Sequence, residues 1–208
     1  MGEMIMPGGW TLSMMWMRMP GQTWPGAAAA FLGMWIVMML PAFAAAAARL
    51  GRLTVVVAAG YFFVWAAIGL AVFPLGVALA ALAMAHPAFA RAVPVASSLV
   101  VVLASAFQFT AWKARHLACC REPFGRRRPL PADLGSAWRD GLRLGVHCVC
   151  TCAGLTTILL VIGVMDLGAM AVVTSAIMAE RLAPASERVT RGIGIVGVGA
   201  GLVKLIFY

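Results

Sequence analysis

Long runs without a charged residue are the feature of this chain that most restricts its fold. Two of them, residues 27–48 and 53–85, are at least as long as the roughly 20 residues that a helix needs to cross a bilayer. Because 63% of the 208 residues are hydrophobic and only 11% are charged, a water-soluble core cannot hold all the apolar side chains. The sequence therefore predicts an integral membrane protein built from helices.

Further apolar segments extend this pattern along the chain. We expect an all-α, polytopic transmembrane helix bundle of five or six spans within residues 27–208. The predicted spans are residues 27–48, 53–85, 92–112, 144–165, 167–182 and 192–208. Pro74 in the second run indicates a kink or a turn outside the membrane. Asp166 and Glu180 flank the short fifth run, and Glu180 is expected to pair with Arg181 or a neighbouring Arg.

The positions of the basic residues predict the orientation of the bundle. If six spans alternate, the connections after the first, third and fifth spans carry thirteen of the sixteen Lys and Arg. Cytoplasmic loops are enriched in these residues, so we expect a multi-pass protein of the bacterial inner (plasma) membrane with both termini outside. The net charge of +9 then reflects topology and attraction to anionic lipid, and no nucleic acid partner is expected.

The two ends of the chain differ in character. Residues 1–26 are rich in Met and Trp, and we expect an external interfacial segment in which residues 9–19 form an amphipathic helix. Trp10 and Trp16 would anchor it among the lipid headgroups. Near the other end, Gly197 and Gly201 are four residues apart, which predicts a close-packing face for another helix or for another membrane protein subunit.

Two segments that contain Cys and His lie at the same predicted depth, next to the cytoplasm. They are WKARHLACCREP, residues 112–123, and GVHCVCTCAG, residues 145–154. His116 and Cys120 are four residues apart, as are Cys148 and Cys152, so each pair shares a helix face. If the two helices pack antiparallel with these faces inward, one imidazole and three sulfurs meet around one ion. Such a ligand set suits Cu(I), and also Zn(II).

Three more residues belong to the candidate metal set. Cys119 and Cys150 point away from the shared faces on ideal helices, and His147 precedes Cys148 directly. For the cysteines, packing is the alternative, since free Cys is a common small buried residue. Disulfides are a further alternative, which the reducing cytoplasmic side disfavours.

Methionine is unevenly distributed, with seven of the fourteen Met residues before residue 27. A thioether is a soft ligand that needs no deprotonation. Met outside and Cys inside is expected of a protein that handles Cu(I) between an oxidising and a reducing compartment. For any single Met, filling of an apolar gap is the alternative. The possible outer soft ligands are Met14, Met17, Met34, Met38, Met165 and Met170.

Three stretches of the chain resemble a bacterial family of predicted metal-binding integral membrane proteins. They are GGWTLSMMWMRMPGQTWPGAAAAFLGMWIVMMLP, FQFTAWKARHLACCREP and GVMDLGAMAVVTSAIMAERL. The family is a domain of unknown function that is sometimes associated with copper handling, and the resemblance covers nearly the whole chain. It implies a multi-pass inner-membrane protein in which Cys120, Cys148 and Cys152 stand at Cys-rich positions.

The chain also departs from the pattern of that family. His116 and Thr151 stand where the resemblance implies Cys, and Asp166 stands where Asn is more usual. Imidazole can preserve a metal site, but a threonine hydroxyl cannot replace a soft ligand. The metal affinity or selectivity is therefore expected to differ or to be lost. The family usually has an additional N-terminal span, which is not expected in this chain.

Three functions agree with these features. The first is a soft-metal, copper-type binding protein that moves or delivers metal between outer Met ligands and inner Cys and His ligands, with zinc as the second choice of ion. The second is a non-catalytic structural subunit of a larger membrane complex. The third is a membrane thiol oxidoreductase, which the absence of a Cys-x-x-Cys pair disfavours. No catalytic residue is predicted, because no nucleotide-binding loop, nucleophile constellation or carboxylate pair stands out.

Overall fold

The structure is a computed structural model and describes residues 3–18, 21–47, 51–121, 131, 133–163 and 166–207. Within these residues, a short antiparallel hairpin, β1 (Glu3–Ile5) and β2 (Thr11–Ser13), precedes seven α-helices. The helices are α1 (Trp24–Ala47), α2 (Thr54–Ala85), α3 (Pro87–Ala106), α4 (Ala111–Arg121), α5 (Leu134–Ile162), α6 (Leu167–Leu182) and α7 (Ser186–Ile206). The prediction that the body of the chain is all-α is confirmed. Among the topology-determining cations, Arg49, Arg126, Arg127 and Arg128 lie outside the described residues.

Within the part of the chain that the structure describes, five helical segments are long and apolar enough to cross a bilayer. They are Trp24–Ala44, Thr54–Ala85, Pro87–Phe109, Leu134–Ile162 and Ser186–Ile206. The remaining candidate, α6, has 16 residues, or about 24 Å at 1.5 Å per residue, which is less than the roughly 30 Å of a bilayer core. A span formed by α6 therefore stays a prediction.

Helix boundaries differ from the predicted spans where capping or packing outweighs hydropathy. Residues 144–162 of the predicted span 144–165 lie in α5, which ends at Ile162, and residues 164–165 lie outside the described residues. The helix begins at Leu134, ten residues before the predicted span, because the Asp133 carboxylate accepts a hydrogen bond from the Ser136 backbone N–H at 2.7 Å. Pro74 lies inside α2, which continues to Ala85. The turn between the second and third spans forms instead at His86, whose extended backbone is followed by Pro87 at the start of α3.

The N-terminal segment is a hairpin and not the amphipathic helix predicted for residues 9–19. Gly8 and Gly9 adopt positive φ angles of 107° and 76°, which only glycine adopts readily, and they turn the chain between β1 and β2. Trp10, predicted as a headgroup anchor, donates its indole N–H to the Ala90 carbonyl at 2.8 Å. Trp16 lies in a 3-10 turn, Met14–Trp16, and packs on Phe31. The hairpin therefore docks at the corner where α2 meets α3.

The ends of α1, α4 and α6 lie at the same end of the bundle. The Arg181 guanidinium, in the last turn of α6, donates to the Ala42 carbonyl in α1 at 3.0 Å. Arg121 ends α4 and donates to the Ala183 carbonyl just after α6 at 2.7 Å. The alternation of six spans and the side of the membrane that these helix ends face stay predictions.

Small residues let α5 approach α2 and α3 closely. A Cβ added to Gly60 of α2 would lie 2.7 Å from the Trp138 carbonyl oxygen, and one added to Gly141 of α5 would collide with the Val57 carbonyl. On the other face of α5, a Cβ at Gly154 would lie 2.6 Å from the Ala104 carbonyl oxygen. Small residues at such positions are the usual means of close helix packing in membranes. The position of α5 at the centre of the bundle thus depends on glycines.

The glycine face of α7 packs within the chain. A Cβ added to Gly197 would collide with the Ser105 side chain, and one added to Gly201 would lie 2.7 Å from Val102 Cγ2. Both neighbours belong to α3. The face predicted for another helix or another subunit is thus occupied by a helix of the same chain, and a contact with a further subunit stays a prediction.

We expect Gly141→Ala to destabilise the fold, because its Cβ would meet the backbone of α2, which cannot move away as a side chain can. Overpacking of this kind costs about 1–3 kcal/mol. Gly199→Ala in α7 is the matched control: nothing lies within 4 Å of its added Cβ, and helix propensity predicts a gain of up to about 1 kcal/mol. Thermal unfolding of the purified variants in detergent, followed by circular dichroism, measures both. Equal melting temperatures for the two variants would contradict the packing.

Candidate metal centre

The chain leaves the helical conformation after α3, and this interruption determines how the two segments that contain Cys and His pack against each other. Residues Phe107–Phe109 form a 3-10 turn, Thr110 is extended at φ −78° and ψ 140°, and its hydroxyl accepts a hydrogen bond from the Lys113 backbone N–H at 3.3 Å. Threonine in this role starts a new helix, so α4 is separate from α3. Its side chains consequently do not continue the face of α3.

Where α4 touches α5, the two helices run in the same direction. His116 contacts His147 and Cys120 contacts Thr151, so both partners advance by four residues together. The prediction that the two Cys- and His-containing helices pack antiparallel is therefore wrong for α4. It holds for α3, in which Ala104 lies beside Gly154 while Val100, four residues earlier, lines a cavity of about 340 Å³ together with Thr157. The turn at Thr110 accounts for the difference.

The closest sulfur atoms belong to Cys148 and Cys152, here called the sulfur pair. Their Sγ atoms are 3.9 Å apart on one face of α5, and both side chains are almost completely buried. The Tyr61 hydroxyl of α2 lies 3.0 Å from Cys148 Sγ, within hydrogen-bonding distance. The four-residue spacing thus places two soft ligands side by side in the core.

The Thr151 hydroxyl lies between Cys120 and the sulfur pair and contacts both. The Thr151 hydroxyl oxygen is 3.8 Å from Cys120 Sγ and 3.8 Å from Cys152 Sγ, and it donates to the Cys148 carbonyl at 2.8 Å. Cys120 itself is buried. The residue that stands where the resemblance implies a Cys therefore separates the third sulfur from the other two.

The imidazoles of His116 and His147 form a second group, the histidine pair, next to the sulfur pair: His147 directly precedes Cys148 in α5, and His116 lies one turn before Cys120 in α4. His116 Nδ1 and His147 Nδ1 are 2.8 Å apart, and both side chains are partly buried. At this distance one ring donates to the other. The Trp112 ring also packs on His116, with the ring centroids 4.3 Å apart.

The expected four-ligand site of one imidazole and three sulfurs is not assembled in this structure. His116 is engaged with His147, and Thr151 stands beside Cys120. Among the described residues, no three His, Cys, Asp or Glu side chains are close enough to hold one metal ion. The structure brings the candidates together as two neighbouring pairs and one adjacent sulfur.

The remaining candidates are dispersed. Cys119 is exposed and Cys150 is half-buried, and all five cysteines are free. Among the outer candidates, Met38 belongs to the main core, Met34 and Met170 pack against that core, and Met17 packs against the hairpin. Met14 is partly buried at the start of the 3-10 turn, and Met165 lies outside the described residues. A role of these thioethers as ligands stays a prediction.

The pairing of Glu180 with Lys113 was missed in the sequence. Lys113 Nζ lies 2.9 and 2.8 Å from the two carboxylate oxygens of Glu180 and also donates to Gln108 Oε1. The Lys113 and Glu180 side chains are only 1% and 3% exposed. Lys113, and not Arg181 or another Arg, is therefore the partner of Glu180. Gln108 and Glu180, both in apolar surroundings, were the available signals for such a polar cluster.

Arg181 is the second buried cation that the sequence analysis did not predict. There, Arg181 was counted only among the basic residues that indicate the orientation of the bundle. The residue is 7% exposed, and of its guanidinium only Nη1 has a partner among the described residues, the Ala42 carbonyl. Its charge lies within electrostatic range of the sulfurs of Cys148, Cys152 and Cys120, in decreasing order of strength. A fixed positive charge thus adjoins all three buried thiols.

Burial raises the pKa of the Cys120 thiol to about 11, although the charge of Arg181 acts in the opposite direction. Only about one Cys120 in a thousand is then a thiolate at pH 8, and the thiolate is the reactive form. We expect iodoacetamide to modify exposed Cys119 at pH 8 and to leave Cys120 almost untouched. The rate at Cys120 should rise about tenfold per pH unit up to pH 10, because the thiolate fraction does.

Peptide mass spectrometry with fragmentation distinguishes the two adjacent sites in the detergent-solubilised protein. Modification of exposed Cys119 in the same sample shows that the reagent is active, so a low yield at Cys120 reflects its burial. Equal modification of Cys119 and Cys120 at pH 8 in the folded protein would contradict the buried position of Cys120.

Comparison with known proteins places the chain in a family. No curated protein and no solved structure matches the chain. A family model, PpoB2, described as a copper chaperone, matches residues 9–204, a range that contains the sulfur pair, the histidine pair and Cys120. The chain belongs to the PpoB2 family of copper chaperones.

Proposed function

We propose that this protein is a membrane copper chaperone that holds Cu(I) between Cys148 and Cys152. The observation that carries the proposal is the 3.9 Å separation of two buried sulfurs on one helix face. Two metal–sulfur bonds of about 2.3 Å reach about 4.6 Å when collinear, so one ion fits between these sulfurs in a bent arrangement. Membership of a family of copper chaperones supports copper as the ion.

The ligand chemistry favours Cu(I) at this position. Two thiols bind one Cu(I) with release of two protons, and no electron transfer is required when copper arrives in the reduced state. Soft sulfur ligands favour Cu(I), whereas hard cations prefer oxygen ligands. A site from which water is excluded also protects the reduced ion from oxidation. Zinc is the less favoured ion, because a structural zinc site is closed by four ligands.

Cys120 is the third sulfur of the proposed site. It lies on α4 across the Thr151 hydroxyl, so a change in the Thr151 rotamer or a small shift of α4 brings it towards the sulfur pair. A ligand that joins and leaves suits a chaperone, which must release its cargo. The site therefore holds copper with two sulfurs and exchanges it through a third.

The histidine pair provides a route between the sulfur pair and the cytoplasm. It is partly exposed, and His147 precedes Cys148 by one residue and Cys152 by five along α5. Imidazole is an accepted ligand for copper, and both Nδ1 atoms can coordinate an ion once the rings separate slightly and the Nδ1 proton of one ring has moved to its Nε2. Met14, Met17, Met34, Met38, Met165 and Met170 are the proposed soft ligands on the outer side.

The proposed setting is the bacterial inner membrane, with the connections rich in Lys and Arg in the cytoplasm and both termini outside. The five long apolar segments support a membrane location. The two other functions have less support. The glycine face that favoured a structural subunit packs on α3, and a thiol oxidoreductase has no support from the family.

We expect wild-type protein loaded anaerobically with Cu(I) to retain about one copper per chain after removal of excess ion. Changing both sulfurs of the pair, Cys148→Ser with Cys152→Ser, should abolish retention, because a hydroxyl is a poor ligand for Cu(I). Cys119→Ser is the matched control, since the same exchange at an exposed position should leave copper content unchanged. Elemental mass spectrometry of the purified proteins measures the ratio. Unchanged copper in the double variant would refute the site.

A further inference from the structure

Arg181 is held in the core with most of its hydrogen-bonding capacity unused. The residue is 7% exposed, and its Nη1 donates to the Ala42 carbonyl at 3.0 Å. Its Nε and Nη2 atoms are buried and have no hydrogen-bond partner within the described part of the chain. A buried cation with idle N–H groups is unfavourable unless an anion is also present for part of the protein's working cycle.

The nearest carboxylate does not balance this charge. Both oxygens of Glu180 lie within 2.9 Å of Lys113 Nζ, so the charges of Glu180 and Lys113 neutralise each other. The guanidinium lies within electrostatic range of Cys148, Cys152 and Cys120. Tyr61, whose hydroxyl lies 3.0 Å from Cys148 Sγ, packs on Phe43, the neighbour of the Ala42 that binds Arg181. Among the described residues, no carboxylate accepts a hydrogen bond from Nε or Nη2 of Arg181, so these N–H groups are available to an anion formed at the sulfurs.

Metal binding changes the charge of this sulfur group by a fixed amount. When two thiols exchange two protons for one Cu(I), the complex carries a net charge of −1, and the guanidinium balances it. When the same two thiols bind Zn(II), the complex is neutral and the guanidinium stays uncompensated. With any number of sulfur ligands, the Cu(I) complex is one unit more negative than the Zn(II) complex. A fixed cation beside the sulfurs therefore favours the monovalent ion.

We infer that Arg181 is the built-in counter-charge of the copper thiolate complex and selects Cu(I) over divalent ions at the sulfur pair. This inference rests on the proposed copper site. Arg181 acts through the complex and binds no metal itself, so it is a specificity-determining residue. Its idle N–H groups also match a thiolate chemically, since sulfur that has lost its proton is a hydrogen-bond acceptor.

The test compares the affinities of purified, detergent-solubilised variants for Cu(I) and for Zn(II) under anaerobic, thiol-free reducing conditions. A chromophoric Cu(I) chelator and a zinc-binding dye compete for the two ions. The variants are Arg181→Met and Arg181→Gln, which remove the charge, and Arg181→Lys, which retains it. Arg121→Met is the matched control, because Arg121 also donates to a backbone carbonyl at this end of the bundle but is only partly buried.

We expect both neutral variants to bind Cu(I) at least about tenfold more weakly, because the attraction between the guanidinium and the anionic copper complex is lost. Their Zn(II) affinity should be unchanged or higher. Arg181→Lys should bind Cu(I) within a few-fold of wild type, and Arg121→Met should match wild type for both ions. Equal weakening of Cu(I) and Zn(II) binding, or an unchanged ratio, would overturn the inference.

A second measurement separates this role from a purely structural one. Metal-free Arg181→Met should melt no lower than wild type, because an apolar side chain removes the cost of burying Nε and Nη2, which have no hydrogen-bond partner among the described residues. The rise in melting temperature upon addition of Cu(I) should be smaller in the variant, since stabilisation follows affinity. If both neutral variants fail to fold while Arg181→Lys folds, the cation serves the metal-free fold and the inference is wrong.

The outcomes also distinguish the inference from the function on which it rests. If wild-type protein does not bind Cu(I), the proposed function fails and the role of Arg181 fails with it. If wild type binds Cu(I) and the neutral variants bind both ions as wild type does, only the role of Arg181 fails.

Discussion

The reversal of the chain at Thr110 determines which side chains meet in the centre of this protein. A continuous helix through residues 107–121 would carry Cys120 away from the core, towards the loop that follows. Because Thr110 is extended and its hydroxyl starts α4, the chain returns along α5, and Cys120 arrives beside Thr151. The same reversal buries Lys113 against Glu180. One backbone turn thus places a sulfur and an ion pair in the interior.

The chemistry of the site changes over one helical turn along α4 and α5. Two imidazoles, partly exposed, are followed by three buried sulfurs beside a permanent cation. Nitrogen ligands at the open end and sulfur ligands at the closed end form a gradient from weaker to stronger binding of a soft ion. Such an order suits a protein that collects copper at a surface and holds it in a core. The proximity of α5 to α2 and α3, made possible by Gly60, Gly141 and Gly154, holds the sulfurs in this closed position.

Sequence patterns predicted the features that depend on one helix at a time. Hydropathy predicted the long apolar helices, and the four-residue spacing placed the sulfurs of Cys148 and Cys152 on one face. Features that depend on two segments were missed. The antiparallel packing of the ligand helices was wrong, because the hydropathy of the run ending at residue 112 does not reveal a turn at Thr110.

Buried charges and the N-terminal hairpin were missed for similar reasons. Lys113 and Arg181 were counted as loop cations, since a basic residue at the end of an apolar run usually faces the cytoplasm. Their burial depends on partners contributed by α6 and α1, which no local pattern indicates. The hairpin was not predicted, because the amphipathic spacing of residues 9–19 was given more weight than the turn formed by Gly8 and Gly9.

The most direct test of the central claim is X-ray absorption at the copper K-edge of the Cu(I)-loaded protein. A copper ion held by Cys148 and Cys152 should give an edge characteristic of Cu(I) and a first shell made of sulfur alone, with two or three neighbours. A first shell of nitrogen or oxygen atoms, or an edge of Cu(II) in protein kept anaerobic, would contradict a copper site at Cys148 and Cys152.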